Sequence, residues 1–225
     1  MAGATSIFDD GRAERYDRII SRIVIGYEAM HRLARAAVLQ ETDVRRILVC
    51  GVGTAEEAIA LAHDLPEAQL VGFDTSSDML AIAQEKVHAS GLSGRIDLVH
   101  GDVHAAPSGP FDVVTDLLVA HFVPSGIARQ GHFTGIADRL KPSGLLVEAA
   151  LVAGPYESLW RSVLALGFDA EKVEDIVQGF HEDVDAVSVP AFEGGLADCG
   201  FNNLMQIWQS LYVRMWTARK SAPKY

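Results

Sequence analysis

The sequence predicts an α/β fold built on a doubly wound, mostly parallel sheet, and three observations point to it. Short apolar runs ending at Gly or Asp alternate with segments of helical periodicity through the middle of the chain. The loops that follow those runs carry glycines and carboxylates, as strand-to-helix turns around a ligand do. Of the 225 residues 49% are hydrophobic, enough for one sizeable core, and no repeat or linker-like tract divides them.

The elements follow in order. From Asp10 to Gln40 apolar residues recur at helical spacing (Ile19, Ile20, Ile23, Tyr27, Met30, Leu33, Ala37), which predicts one long helix, or two with a bend near Gly26. Arg46 to Cys50 reads as a strand ended by Gly51, after which Thr54 can cap a helix running through Ala62. The unit repeats. Gln69 to Phe73 is a strand with Asp74 at its end, and Ser76 or Ser77 starts a helix with Met79, Leu80, Ala83 and Val87 on one face. Arg95 to His100 and Phe111 to Thr115 are further strands, Ser125 to Leu140 a helix and Leu145 to Ala149 a fifth strand. Beyond Ala150 the pattern turns helical and acidic, and Asn203 to Trp208 with Leu211 to Ala218 reads as a terminal hairpin.

Charge and cysteine usage exclude several partners. A formal net charge of −11 opposes tight binding to nucleic acid or an anionic membrane, because phosphate contacts need clustered Lys and Arg. The longest apolar run, Gly144 to Gly154, is interrupted by Glu148 and too short to cross a bilayer, and residues 1–15 contain no secretory apolar stretch. Cys50 falls inside a predicted buried strand and Cys199 in a loop, so two free thiols and a reducing, cytoplasmic setting are expected.

In a parallel sheet the ligand lies beyond the carboxyl ends of the strands, so the loops there carry the chemistry. Gly51-Val52-Gly53-Thr54-Ala55 places small residues where backbone must come close to a ligand; a tight strand-to-helix turn is the plainer reading. Glu56 stands where a dinucleotide fold would have its third glycine. Asp74 can accept hydrogen bonds from both hydroxyls of a ribose, or simply cap the next helix. Asp102, in Gly101-Asp102-Val103, can read an adenine edge together with a backbone amide, or simply form a turn.

Ile47 to Ala55 resembles the glycine-rich motif of class I S-adenosylmethionine (AdoMet)-dependent methyltransferases, and Phe73-Asp74-Thr75-Ser76 with Met79-Leu80 resembles the motif that follows it. Gly101-Asp102, Phe111 to Val114 and Leu140 to Gly144 are similar to the later motifs, so the resemblance spans Ile47 to Ala149. It implies a Rossmann-like seven-stranded sheet, mostly parallel with an antiparallel C-terminal strand, and helices on both faces. It also implies an organisation into residues 1–42 as a helical cap, 43–150 as the AdoMet-binding core, 151–200 as a helical cover over the acceptor site and 201–225 as the hairpin, all in a single domain. AdoMet would be the cofactor. Gly51, Val52 and Gly53 would face its methionine part, Asp74 its ribose, and Asp102 and Val103 its adenine, Thr75 and Met79 would also bind the cofactor, and Asp116 and Leu117 would line the same cleft. Two departures stand out: Val49 occupies the usual acidic position before the first glycine, and Ala55 replaces the third glycine.

A looser resemblance links the chain to carboxy-S-adenosylmethionine synthases, through Phe8-Asp9, Arg22 with Gly26-Tyr27, Phe122 to Ser125 and the hairpin. That would bring Tyr27 over the sulfonium end of AdoMet; a core tyrosine on a helix face is the alternative. No arginine occurs between Arg161 and Arg214 to meet an added carboxylate. Methyl transfer from a sulfonium needs mainly positioning, with a base only where the acceptor must lose a proton. His121 is the first candidate for that base, ahead of His132, Asp116 and Tyr156, although a histidine after a buried strand is more often a packed residue. Tyr156, Trp160, Phe168, Phe180, Trp208 and Tyr212 are expected to wall a pocket for a small, flat or apolar acceptor, or else to pack the core. A small-molecule methyltransferase of secondary metabolism is thus the leading expectation, followed by the synthase and by a non-catalytic AdoMet-binding protein. The amphipathic amino-terminal helix offers a dimer surface.

Overall fold

The computed structural model describes residues 19–222; the Phe8-Asp9 opening and the first part of the amino-terminal helical segment lie outside them. Seven strands form one sheet: β1 (Arg46–Cys50), β2 (Gln69–Asp74), β3 (Ile96–His100), β4 (Phe111–Leu117), β5 (Leu140–Leu151), β6 (Phe201–Ser210) and β7 (Val213–Lys220). Their order is β3-β2-β1-β4-β5-β7-β6. β1 to β5 pair in parallel, and β7 enters antiparallel between β5 and β6. The sheet is the one expected, mostly parallel with an antiparallel carboxyl-terminal pair.

The central strands are apolar on both faces because helices cover both. One face carries Ile47, Val49, Val113 and Val147, packed by α1 (Tyr27–Leu39), α2 (Glu56–Asp64) and α3 (Ser77–Ala89). The other carries Leu48, Val114, Leu146 and Trp216, packed by α4 (Ile127–Arg139) and α7 (Val189–Asp198). A third cluster, from α5 (Glu157–Leu164) and α6 (Ala170–Asp183), gathers Trp160, Leu164, Val173 and Val177 around Tyr212 between β6 and β7.

One local expectation, the cap at Thr54, needs correcting, and another, a bend near Gly26, is met. Helix α2 is capped by Ala55, in the left-handed region (φ 67), and not by Thr54; the Thr54 hydroxyl accepts instead from Lys86 Nζ at 3.2 Å. The amino-terminal helix breaks at residues 24–26, and Gly26 (φ 81) restarts it as α1. A Cβ at Gly26 would lie 2.9 Å from Trp208 Cζ2, so glycine there also lets the helix corner sit on β6.

Candidate functional site

β1 lies between β2, leading one way across the sheet, and β4, leading the other, so the order reverses at their carboxyl ends and a crevice opens there. The loop leaving β1 shapes it. Gly51 and Gly53 take left-handed backbone (φ 55 and 54). A Cβ on Gly51 would come within 2.4 Å of Val119 Cγ2, whereas one on Gly53 would meet nothing nearer than the Gly51 carbonyl oxygen at 3.9 Å. The first glycine is required by close packing between the loops after β1 and β4. The second leaves its backbone bare toward open space, which is what an approaching ligand needs. The Val52 N–H donates to Phe73 O at 2.9 Å and ties the loop to β2.

Asp74 closes that tie from the other side. Its Oδ2 accepts from the Gly53 N–H and its Oδ1 from the Ser76 N–H, both at 2.9 Å. Burial raises its pKa, and the backbone donors of Ser76, Gly53 and Thr75 and the charge of His100 act against that rise. Each carboxylate oxygen keeps a lone pair, so a braced acceptor stands at the tip of β2. Thr75 O contacts His100 Nε2 at 3.1 Å, and the Met79 N–H donates to Ser76 Oγ at 3.3 Å, seating buried Met79 behind Asp74. In the loop after β3, Asp102 is exposed and accepts from the His104 N–H at 2.9 Å, while Val103 is buried against Gly135. Leu117, nearly buried, ends β4. Because α1 leads directly into the start of β1, its first residue, Tyr27, lies toward the carboxyl edge of the sheet, its ring edge-on to His31 with the ring centroids 4.4 Å apart.

The expected base and its alternatives sit elsewhere. Asp116 is fully buried on the opposite face from Leu117, with Oδ2 2.8 Å from His132 Nε2. It lies in register with Glu148 of β5, and the two carboxyl groups share a side-chain hydrogen bond that needs a proton on one of them. Burial and the Asp116 charge raise the Glu148 pKa well above the carboxylate range; for Asp116 burial is outweighed by His132, and its pKa is lowered. Burial disfavours the His132 cation, yet the charge and hydrogen bond of Asp116 prevail and its pKa is raised. A carboxyl with a raised pKa thus stands beside a histidine–aspartate pair inside the core. His121, on a single 3₁₀ turn (Ala120–Phe122), is 1% exposed and accepts the Leu151 N–H at Nδ1, 3.3 Å away. Burial drives its pKa down to about 3, so the ring stays neutral and enclosed, a geometry unsuited to taking a proton from an outside acceptor.

Beyond the end of β5 lies a cavity of about 480 Å³, lined by residues that include Gly154, Glu157, Phe180, His181 and Tyr212. Tyr156 stands at its rim, capping α5, with its ring edge-on to Tyr212 (5.5 Å) and its hydroxyl accepting from Arg214 Nη2 at 3.1 Å. Trp160 and Phe180 complete the aromatic packing around Tyr212. Trp208 packs against Gly26 and Phe168 under Arg22, so these two belong to the contact between the amino-terminal helices and their neighbours. Sequence reasoning missed Arg214, a buried cation whose hydrogen bonds go to the carbonyls of Leu211 and Val213 and to Tyr156. It also missed Glu57, whose spacing of four from fully buried Leu61 on α2 was the available signal. Among the described residues no cluster of His, Cys, Asp or Glu is placed to hold a metal, and no helix is long and apolar enough to cross a membrane.

A family model described as a methyltransferase domain matches residues 47–144, the span that contains the loops after β1 to β4. A ubiquinone/menaquinone biosynthesis C-methyltransferase from Syntrophotalea carbinolica is 30% identical over 162 residues, covering 69% of this chain and 67% of the relative. The chain belongs to the class I AdoMet-dependent methyltransferase family. A carboxy-S-adenosyl-L-methionine synthase from Campylobacter hominis is 31% identical over 63% of this chain and 60% of its own length. The structure of an O-methyltransferase family protein from Burkholderia thailandensis superposes with a TM-score of 0.68 at 14% identity, over 100% of this chain and 65% of that one. The chain spans about half the length of the first curated relatives it matches. AdoMet is the methyl donor of the family, and the crevice suits it: bare backbone at Gly53, a braced carboxylate at Asp74 and a second carboxylate at Asp102 fit a nucleoside with a charged amino acid tail.

Proposed function

We propose that this methyltransferase-family chain transfers the methyl group of AdoMet to a small-molecule acceptor by in-line displacement, as a single domain in which residues 43–150 hold the donor and 151–200 cover the acceptor. The observation that carries the reading is the Gly53–Asp74 clamp, which sets an open stretch of backbone beside a carboxylate at the switch point of the sheet. When bound, AdoMet supplies a methyl group already activated on a sulfonium. Gly51, Val52 and Gly53 would hold its amino acid part, Asp74, Thr75 and Met79 its ribose side, Asp102 and Val103 its adenine side, and Leu117 and Tyr27 would close the cleft. What remains for the protein is to align the acceptor and exclude water, and no titratable array is needed for that. The cavity beyond β5, with Phe180 and Tyr212 in its wall, is where a small, partly flat acceptor would lie. In this reading His121 and Asp116 act by packing.

The test is calorimetry with AdoMet followed by a methyl-release assay over a panel of small acceptors. Binding in the micromolar range with acceptor-dependent formation of S-adenosylhomocysteine is the expected result. Absence of AdoMet binding overturns the reading. Binding without turnover on any acceptor points to a non-catalytic binder.

A second reading, a carboxy-S-adenosylmethionine synthase-like activity, is favoured by one observation. Arg214 is buried beside Tyr156 with no carboxylate partner among the described residues, so a guanidinium is present to meet an added carboxylate. Mass spectrometry of the nucleoside that co-purifies separates the two, since the carboxylated donor is heavier than AdoMet.

A further inference from the structure

We infer that Glu57 anchors the ammonium group of the donor's amino acid tail, supplying from helix α2 the negative charge that Val49 does not supply from strand β1. This rests on the reading of the crevice as an AdoMet site. A donor whose sugar meets Asp74 must lay its amino acid end along the glycine loop, because loop and carboxylate are bound to each other. An ammonium set against backbone and out of water needs a carboxylate partner.

The neighbouring carboxylates are otherwise engaged. Glu56 is exposed, and its Oε1 accepts from Lys86 Nζ at 2.6 Å. Asp74 is braced on Gly53 and Ser76 at the sugar end. Asp116 is on the far face of the sheet with His132. Val49, in register with Thr115 of β4, is apolar and 1% exposed.

Glu57 is different. It stands in the first turn of α2, directly after the loop, and Ala58 and Leu61 beside it are fully buried against the sheet. Its Oε1 is shut off from solvent with no hydrogen-bond partner, and so is Thr115 Oγ1, the hydroxyl next to Val49 across β1 and β4. These two polar atoms come together under the glycine loop, where the Thr115 hydroxyl acts on the carboxyl but brings no positive charge to balance it. Burial pushes the Glu57 carboxyl up to about 7, with the Thr115 hydroxyl lowering it and the Asp116 charge raising it further. A cation brought to this point relieves that penalty, and the amino end of α2 favours the ionised form.

The experiment is calorimetry with three probes, AdoMet, S-adenosylhomocysteine and 5′-methylthioadenosine, on the wild-type chain and on Glu57→Gln. The third probe keeps the adenine and ribose and lacks the amino acid tail. Glu57→Gln is expected to weaken AdoMet and S-adenosylhomocysteine roughly tenfold or more, as loss of a charged hydrogen bond does, and to leave 5′-methylthioadenosine unchanged. Adding Val49→Asp to Glu57→Gln is expected to recover part of the loss. An equal loss for all three probes, or none for any, overturns the inference while the donor reading stands. Failure of the wild type to bind any probe removes both. If the glutamine variant does not fold, Glu57→Asp, which keeps the charge but draws it back, gives the same three-way comparison with a smaller selective loss.

Discussion

At Asp74, charge and hydrogen bonding can be separated by substitution. Asp74→Ala removes the acceptors for Gly53 and Ser76 as well as those offered to a ribose, and is expected to weaken AdoMet binding by about 1–3 kcal/mol. Asp74→Asn keeps one acceptor oxygen and is expected to fall between. Wild-type affinity in Asp74→Ala, read by calorimetry, would remove the carboxylate from the donor site. The placement of Asp74 at a strand end was legible in the sequence, because the apolar run from Gln69 to Phe73 stops at it. Asp116 was not, because strand alternation decides its face: with Leu117 turned to one side, its neighbour Asp116 turns to the other and meets His132. The burial of His121 was hidden for a related reason. It depends on the β5 end and on Asp185 reaching the same 3₁₀ turn, contacts between segments far apart in the chain.

The glycine loop is the element on which binding and stability come apart. Gly51→Ala places a Cβ against Val119 Cγ2 at 2.4 Å on left-handed backbone, and is expected to cost about 1–3 kcal/mol of stability in a denaturant melt. Gly53→Ala carries similar backbone strain, but its Cβ points to open space. It is expected to cost about 1–2 kcal/mol of stability and to lose proportionately more AdoMet affinity, because the methyl occupies the approach to bare backbone. If Gly51→Ala proved the milder for stability, the packing between these two loops would be misread. The strands were legible from their apolar runs. Their ends were less so, since pairing rather than composition sets them: β5 starts at Leu140, where it meets Phe111, although the apolar run starts only at Leu145. The start of α2 shifted from Thr54 because Lys86 on α3 takes that hydroxyl. The crevice was visible as motifs, whereas the cavity beyond β5, lined from α5, α6 and the β6–β7 turn, has no local signature beyond its aromatics.

For the molecule as a whole, the buried row of Asp116, Glu148 and His132 ties global stability to pH. Glu148 holds its proton in the folded chain well above the carboxylate value of 4.5 it has when unfolded. From that pH upward the unfolded chain binds fewer protons than the folded one, so stability falls as pH rises, by up to about 1.4 kcal/mol per pH unit for one proton. His132 adds to this limb, because its raised pKa gives stability that is present below its unfolded value of 6.5 and lost as pH rises through the folded one. Asp116 acts in the opposite sense at low pH: its pKa is lowered, so its contribution is present above the ordinary 3.8 and lost on acidification. Glu148→Gln keeps the shape of the protonated side chain and its amide N–H can donate to Asp116 in place of the carboxyl proton. Its melting temperature is therefore expected to change little between pH 5 and 6, to exceed the wild type at pH 8, and to follow a flatter alkaline limb in which only the His132 part remains. The acid limb carried by Asp116 should persist in both proteins. Parallel curves for wild type and variant across that range would mean that Glu148 is ionised in the core, with its charge balanced by Arg129, the nearby cation that already opposes the rise in its pKa.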